Sequence, residues 1–105
     1  MNRGNKYRAR RTYSNVCQRY FDSKAEAHRA EELMLAQKLG GISDLQFQVK
    51  FVLSEKPKVT IKLDFYYVEN GRTVYEDVKG VLTRDFRSKL AWLKQLHSID
   101  VRLIR

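Results

Sequence analysis

One cysteine, one proline and two histidines in 105 residues exclude much before any motif is considered. A lone Cys17 rules out an internal disulfide and every cysteine-rich zinc site, and it makes a reducing, intracellular setting the expectation. His28 and His97 are too few and too isolated for a histidine metal site or a histidine-activated nucleophile. No apolar run approaches the ~18 residues of a membrane span, so no membrane-embedded role is expected. The N-terminus is basic but lacks the apolar stretch of a secretory signal. Acid is also missing from one region: residues 1–20 carry Arg3, Lys6, Arg8, Arg10, Arg11 and Arg19, and no Asp or Glu.

The formal net charge is +9, and the rest of the chain is near balance, with 15 basic against 12 acidic side chains. The length and a hydrophobic share of 43% suit one globular domain with a modest core. The expected organisation is a basic N-terminal arm at 1–20, partly disordered in the free protein, and a single domain at 21–105. Such an arm seeks a polyanion. Tyr7, Tyr13 and Tyr20 are interleaved with its cations and can stack on bases, which ranks nucleic acid ahead of an acidic membrane surface. A solubilising tail is the plainer alternative.

Ser23 with Glu26 three residues later forms a capping-box pattern for a first helix. Ala25, Ala30, Leu33, Met34 and Leu39 supply its apolar face, and Gly40-Gly41 ends it. Leu45–Leu53 alternates strictly and predicts a strand, with Gln48 on the face turned from the core. Pro57 cannot donate to a ladder and marks a turn at 54–57. Lys58–Val68 alternates again: Val59, Ile61, Leu63, Phe65 and Tyr67 face one way, and Lys62, Asp64 and Tyr66 the other. Asn70-Gly71 is the strongest short hairpin signal in a sequence, and Arg72–Lys79 follows as a partner strand. Thr83 caps a second helix reaching His97, with Phe86, Leu90, Leu93 and Leu96 on one side. Val101–Ile104 is a last strand, parallel to its neighbour after a strand–helix–strand crossover. The expected fold is α/β, in the order helix-strand-strand-strand-helix-strand, with a mixed sheet flanked by helices.

If Asn70-Gly71 is a two-residue loop, Glu69 pairs with Arg72. Continuing that register sets Asp64 opposite Asp77 and Lys62 opposite Lys79. Directly opposed Cβ atoms lie roughly 4.5–5.5 Å apart, where like charges repel. Two facing carboxylates need a cation between them, and hard divalent ions such as Mg²⁺ favour oxygen ligands. Alternation favours Asp77 over Glu76 as the ligand, unless a bulge shifts the strand; Glu76 then binds a basic neighbour or supports the site from behind. Lys79 shares the face of Asp77, where an ammonium can hold water and a phosphate, although a strand-end lysine paired to an acid is the bland reading. Glu26 is explained equally by the capping box or by a metal role. Gln48 is either an exposed glutamine or a substrate contact. On the second helix Lys89 is either part of a solvated face or a phosphate contact.

The element order, with Asp64 on the second strand and Asp77-Val78-Lys79 on the third, resembles the core of the PD-(D/E)XK nuclease superfamily, a restriction-endonuclease-like fold. Phe21–Ala27, Leu63–Tyr67 and Tyr75–Gly80 resemble a small phage and prophage family of predicted endonucleases, itself distantly similar to phage Holliday-junction resolvases. Leu63 stands where the motif has proline, and the acid at 77 is Asp rather than the commoner Glu. The resemblance implies a Mg²⁺-dependent DNA endonuclease, with Mn²⁺ able to substitute, working in the cytoplasm of a bacterial host. It implies metal ligands Asp64, Asp77 and the Val78 carbonyl, a motif lysine at Lys79, and a first-helix acid at Glu26. Branched or junction DNA is the implied substrate, and cutting two strands is most simply done by a homodimer. Two other readings remain: a non-catalytic nucleic-acid-binding module with structural carboxylates, and a nuclease-fold subunit of a larger complex.

Overall fold

Asn70 and Gly71 both take positive φ, 54° and 76°. That is the backbone of a two-residue hairpin turn whose twist matches its strands. In the computed structural model, which describes residues 10–105, this turn joins two strands of a mixed four-stranded sheet. The chain divides at Gly41/Ile42 into two compact units.

The first unit opens with a hairpin, β1 (Thr12–Ser14) and β2 (Arg19–Phe21), paired Thr12↔Phe21, Tyr13↔Tyr20 and Ser14↔Arg19. The expected element order therefore needs correcting: among the described residues, two strands precede the first helix. Thr, Tyr and Phe favour extended backbone, and this local pattern prevails over the basic composition that suggests a loose arm. Helix α1 (Lys24–Lys38) follows. The Ser23 side chain accepts the Glu26 N–H at 3.0 Å. At the other end Gly41 N–H donates to the Ala36 carbonyl and Gly40 N–H to that of Gln37. Gly40 has φ 86°, so this is the six-to-one and five-to-two closure that glycine permits. The buried face is Glu26, Ala27, Ala30 and Leu33. Ala27 takes the place expected for Ala25, because three- and four-residue steps from Ala30 and Leu33 reach 27 and 26. Leu39 is the C-cap, 77% exposed.

The second unit holds β3 (Ser43–Glu55), β4 (Lys58–Glu69), β5 (Arg72–Val78), helix α2 (Arg84–His97) and β6 (Val101–Ile104). The sheet order is β3-β4-β5-β6, antiparallel except for the parallel β5–β6 pair. The crossover through α2 thus ends in the parallel strand that its length predicts. Leu53, Ile61, Leu63 and Leu93 form the buried core, with Phe51, Val59, Tyr75, Phe86, Leu90, Ile99 and Val101 packed around them. Thr83 caps α2 by accepting the Phe86 N–H at 3.2 Å. Leu96, expected on the inner side, is 50% exposed, whereas Leu93 is fully buried. Among the described residues no helix is long and apolar enough to cross a membrane.

The two leucines of α2 make a direct test. Leu93→Ala should lower stability by about 2–5 kcal/mol, the usual range for a fully buried leucine. Leu96→Ala should stay within about 0.5 kcal/mol, as for exposed substitutions. Urea unfolding followed by the fluorescence of Trp92, on the same helix, measures both.

Candidate functional site

The β4–β5 ladder keeps the hairpin register from Glu69↔Arg72 to Phe65↔Glu76, and there it stops. The next two residues are Asp64 and Asp77. Asp64 N–H donates to Asp77 Oδ1 at 2.9 Å, and Val78 N–H donates to Asp64 Oδ2 at 2.8 Å. Each strand thus gives a backbone donor to the other strand's carboxylate. The expected pair Lys62↔Lys79 does not form, because the ladder has already ended; Lys62 pairs instead with Lys50 of β3.

Asp77 is 1% exposed. Its Oδ2 is buried, and the Lys79 ammonium faces it at 3.1 Å. Burial pushes the Asp77 carboxyl above the usual carboxylate range, and the Lys79 charge and the hydrogen bonds from Lys79 and Asp64 pull it back only in part. A raised pKa means that ionised Asp77 costs the fold stability. The cost is full above the folded pKa, shrinks as the pH falls below it, and is gone once the pH is below the ordinary carboxylate value of the unfolded chain. Lys79 is held from two further sides. Its N–H donates to the Ile104 carbonyl at 2.9 Å, and its ammonium lies 4.1 Å from the centre of the Phe86 ring on α2.

Neighbouring Glu76 has different surroundings. It is fully buried, accepts a hydrogen bond from the Tyr67 hydroxyl, and lies 3.7 Å from an Arg102 guanidinium nitrogen. Arg102 also donates to Tyr67 Oη at 3.0 Å. Adjacent residues on a strand face opposite sides, so Glu76 joins β4 to β6 while Asp77 meets Asp64 and Lys79. The Arg102 contact is a long-range pairing that no local pattern signals.

Gln48 lies on β3 between the pairs Phe47↔Phe65 and Val49↔Leu63, which sets it across from Asp64. Gln48, Asp64 and Asp77 therefore form a row across three strands. Its φ is 57°, an unusual state for a non-glycine residue inside a strand that costs of order 1–3 kcal/mol. Such strain gathers at functional positions, and it has no sequence signal.

The remaining candidates lie apart in sequence or outside the described part. Glu26 belongs to the first unit, buried on α1. Lys89 sits 3.6 Å from Asp85 one turn earlier on α2. Arg10, Arg11 and Arg19 flank or belong to the β1–β2 hairpin, whereas Arg3, Lys6 and Arg8 lie outside the described residues. Among the described residues no group of three or more His, Cys, Asp or Glu gathers in a metal-holding arrangement.

No curated protein and no solved structure matches the chain. A family model does match, over residues 4–104. By that match, which covers nearly the whole length, the chain belongs to the family described as "Protein of unknown function (DUF1064)".

Proposed function

We propose that this chain is a divalent-metal-dependent endonuclease that hydrolyses phosphodiester bonds in DNA. The observation that carries the reading is Asp77 Oδ2: a buried carboxylate oxygen, matched by one ammonium 3.1 Å away, at the point where two strands part beside a second carboxylate. Carboxylate oxygens are the donors a hard cation prefers. Mg²⁺ in particular keeps several waters and needs only one or two carboxylates plus substrate phosphate, so Asp64 and Asp77 suffice without a third clustered acid. The Val78 carbonyl completes the protein ligands in this reading; a metal role for Glu26 rests on the family resemblance alone. Mg²⁺ is the expected cofactor and Mn²⁺ a substitute.

An ion held by Asp64 and Asp77 would supply charge stabilisation to the scissile phosphate and a more acidic water near neutral pH. The protein's own groups do the rest. Lys79, fixed between Asp77 and the Phe86 ring, orients the attacking water and holds a phosphate oxygen. Gln48, in line with Asp64, touches the substrate. The arginines and lysine of residues 3–19, with Lys89, hold the DNA backbone and add affinity without sequence choice. A branched or junction substrate and a homodimer rest on the family resemblance.

One observation favours a second reading. Asp64 and Asp77 each accept a backbone N–H, so they also serve as pins between strands. A non-catalytic nucleic-acid-binding module would need them for nothing more.

Metal separates the two readings first. Mg²⁺ or Mn²⁺ at about ten times its Kd should stabilise the wild type by about 1.4 kcal/mol, seen as a higher melting temperature. Asp77→Asn should abolish the rise. The rise should also fade as the pH drops through the raised pKa of Asp77, because a protonated carboxyl is a poor ligand. A melting temperature indifferent to both ions at every pH would remove the metal site.

Cleavage separates them second. On linear, nicked, flapped and four-way DNA, Lys79→Ala and Asp77→Asn should each cut at least about a hundredfold more slowly, the scale of one lost electrostatic or acid–base group, while still binding. Glu76→Gln should instead lose about 1–3 kcal/mol of stability through its buried hydrogen bond with Tyr67 and keep its cutting rate per folded molecule. If the folded wild type cuts no DNA form with either ion, the binding module is the better reading.

A further inference from the structure

We infer that the outer face of the β1–β2 hairpin is a stacking platform for an unpaired nucleobase, so that the DNA this chain binds carries a single-stranded segment. The inference rests on the proposal that DNA is the partner, and it names which DNA.

Strand alternation gives the hairpin two unlike faces. Ser14 and Phe21 lie on one, 1% and 2% exposed. Tyr13 and Tyr20 lie on the other, 48% and 52% exposed, as a directly opposed cross-strand pair. A structural hairpin needs only its inner face. Two half-exposed tyrosines side by side on the outer face contribute little to a core and leave apolar ring surface in water.

The pair is also held still. The Ser14 hydroxyl donates to Glu31 Oε2 on α1 at 2.6 Å and accepts the Cys17 N–H at 3.0 Å. Gln18 N–H closes the loop onto the Ser14 carbonyl at 2.7 Å. The two rings meet edge to face, with centres 5.0 Å apart and planes at 68°. The Arg11 guanidinium lies 4.4 Å from the centre of the Tyr20 ring, on the same outer face by alternation with Tyr13. Rigid aromatics lose little entropy when a partner arrives.

Charge selects the partner. Six cations and no acid in residues 1–20 complement a phosphate backbone. Arg11 stands at the rings themselves, and cations that follow phosphates next to rings that take bases are how proteins hold single strands. Duplex DNA keeps its base faces stacked inside and offers the rings nothing. Only an unpaired base uses both parts of this surface.

The test uses the full chain with a chelator, so that no cleavage interferes. Binding is measured by anisotropy on a single-stranded oligonucleotide and on the matching blunt duplex, each with one 2-aminopurine. The wild type should prefer the single strand and change the 2-aminopurine emission there. Tyr13→Ala and Tyr20→Ala should each weaken single-strand binding roughly tenfold, change duplex binding less than about twofold, and leave the salt slope unaltered, since no phosphate contact is lost. Tyr13→Phe and Tyr20→Phe should bind like the wild type; they keep the rings and control for any unfolding of the alanine variants. Equal losses on both DNA forms, or wild-type binding that leaves 2-aminopurine undisturbed, overturn the platform. If cleavage with Mg²⁺ persists while the tyrosine variants bind normally, the platform fails and the endonuclease stands. If a folded wild type cuts nothing but binds single strands through these rings, the platform stands and the endonuclease falls. If the wild type binds neither form, DNA is not the partner and the platform falls with it.

Discussion

The exchange of donors between Asp64 and Asp77 is the constraint on which the second unit turns. At Phe65↔Glu76 the backbone ladder ends, and without a substitute the next amides would be left unmatched in a half-buried region. Two carboxylates supply that substitute. Hydrogen bonds to charged groups are worth about 1.5–3 kcal/mol each, more than the backbone bonds they replace. The arrangement has a cost, because the two carboxylates repel and Asp77 is almost fully buried. Two backbone N–H groups and the Lys79 ammonium make it tolerable. The result is a pair of strands that separate in a controlled way, with acidic oxygens at the fork. A plain ladder would have filled that space with backbone.

Glu76 and Asp77 show how one step along a strand changes the surroundings of an acid. Both are buried acids on β5. Glu76 accepts a hydrogen bond from Tyr67 and lies in ion-pair range of Arg102, which itself donates to Tyr67, and the three tie β4 to β6 through β5. Its charge is used up within the fold. Asp77 meets a backbone amide on one oxygen and a single ammonium on the other, and burial still holds its pKa up. A carboxylate with such an unfinished environment has more to gain from an added cation than one already enclosed by an arginine and a tyrosine. A shift of one residue in register would exchange the two roles. The turn at Asn70-Gly71, five pairs away, therefore decides which acid is available.

That turn is also why much of this unit could be read from sequence. Asn-Gly sets a two-residue loop, the loop sets the register, and the alternation of Val59 through Tyr67 sets the inward face. Thr83 and the 86-90-93 spacing define α2 in the same local way. What stayed hidden depends on contacts distant in sequence. Nothing near Glu76 announces Arg102, and nothing near Gln48 announces its inverted backbone opposite Asp64. The β1–β2 hairpin was hidden for another reason. Its strands are only three residues long and follow a run of arginines at 8, 10 and 11, so charge obscured an alternation that Ser14 and Phe21 complete only by burial against other parts of the first unit. Leu96 misled in the opposite direction: it keeps helical spacing with Leu93 but lies one step past the face that the sheet covers.

The acidic fork and the basic N-terminal segment make sense together on the proposed reading. The fork presents two carboxylates, and a phosphate brought within 4 Å of a carboxylate meets a repulsion of about 1 kcal/mol even at the dielectric of water, and several times that near a protein surface. The fork is therefore a poor site for capturing DNA. Capture has to come from elsewhere, and the six cations of residues 1–20 supply it through counterion release, which acts on any sequence. The rings of Tyr13 and Tyr20 add the discrimination that charge lacks, since every DNA has phosphates but only an unpaired base has a free face. Under this division of labour, affinity, choice of DNA form and chemistry are assigned to separate residues. A change at the carboxylates should then alter cutting with little loss of binding, and a change at the tyrosines should alter which DNA is held without touching the chemistry of the fork.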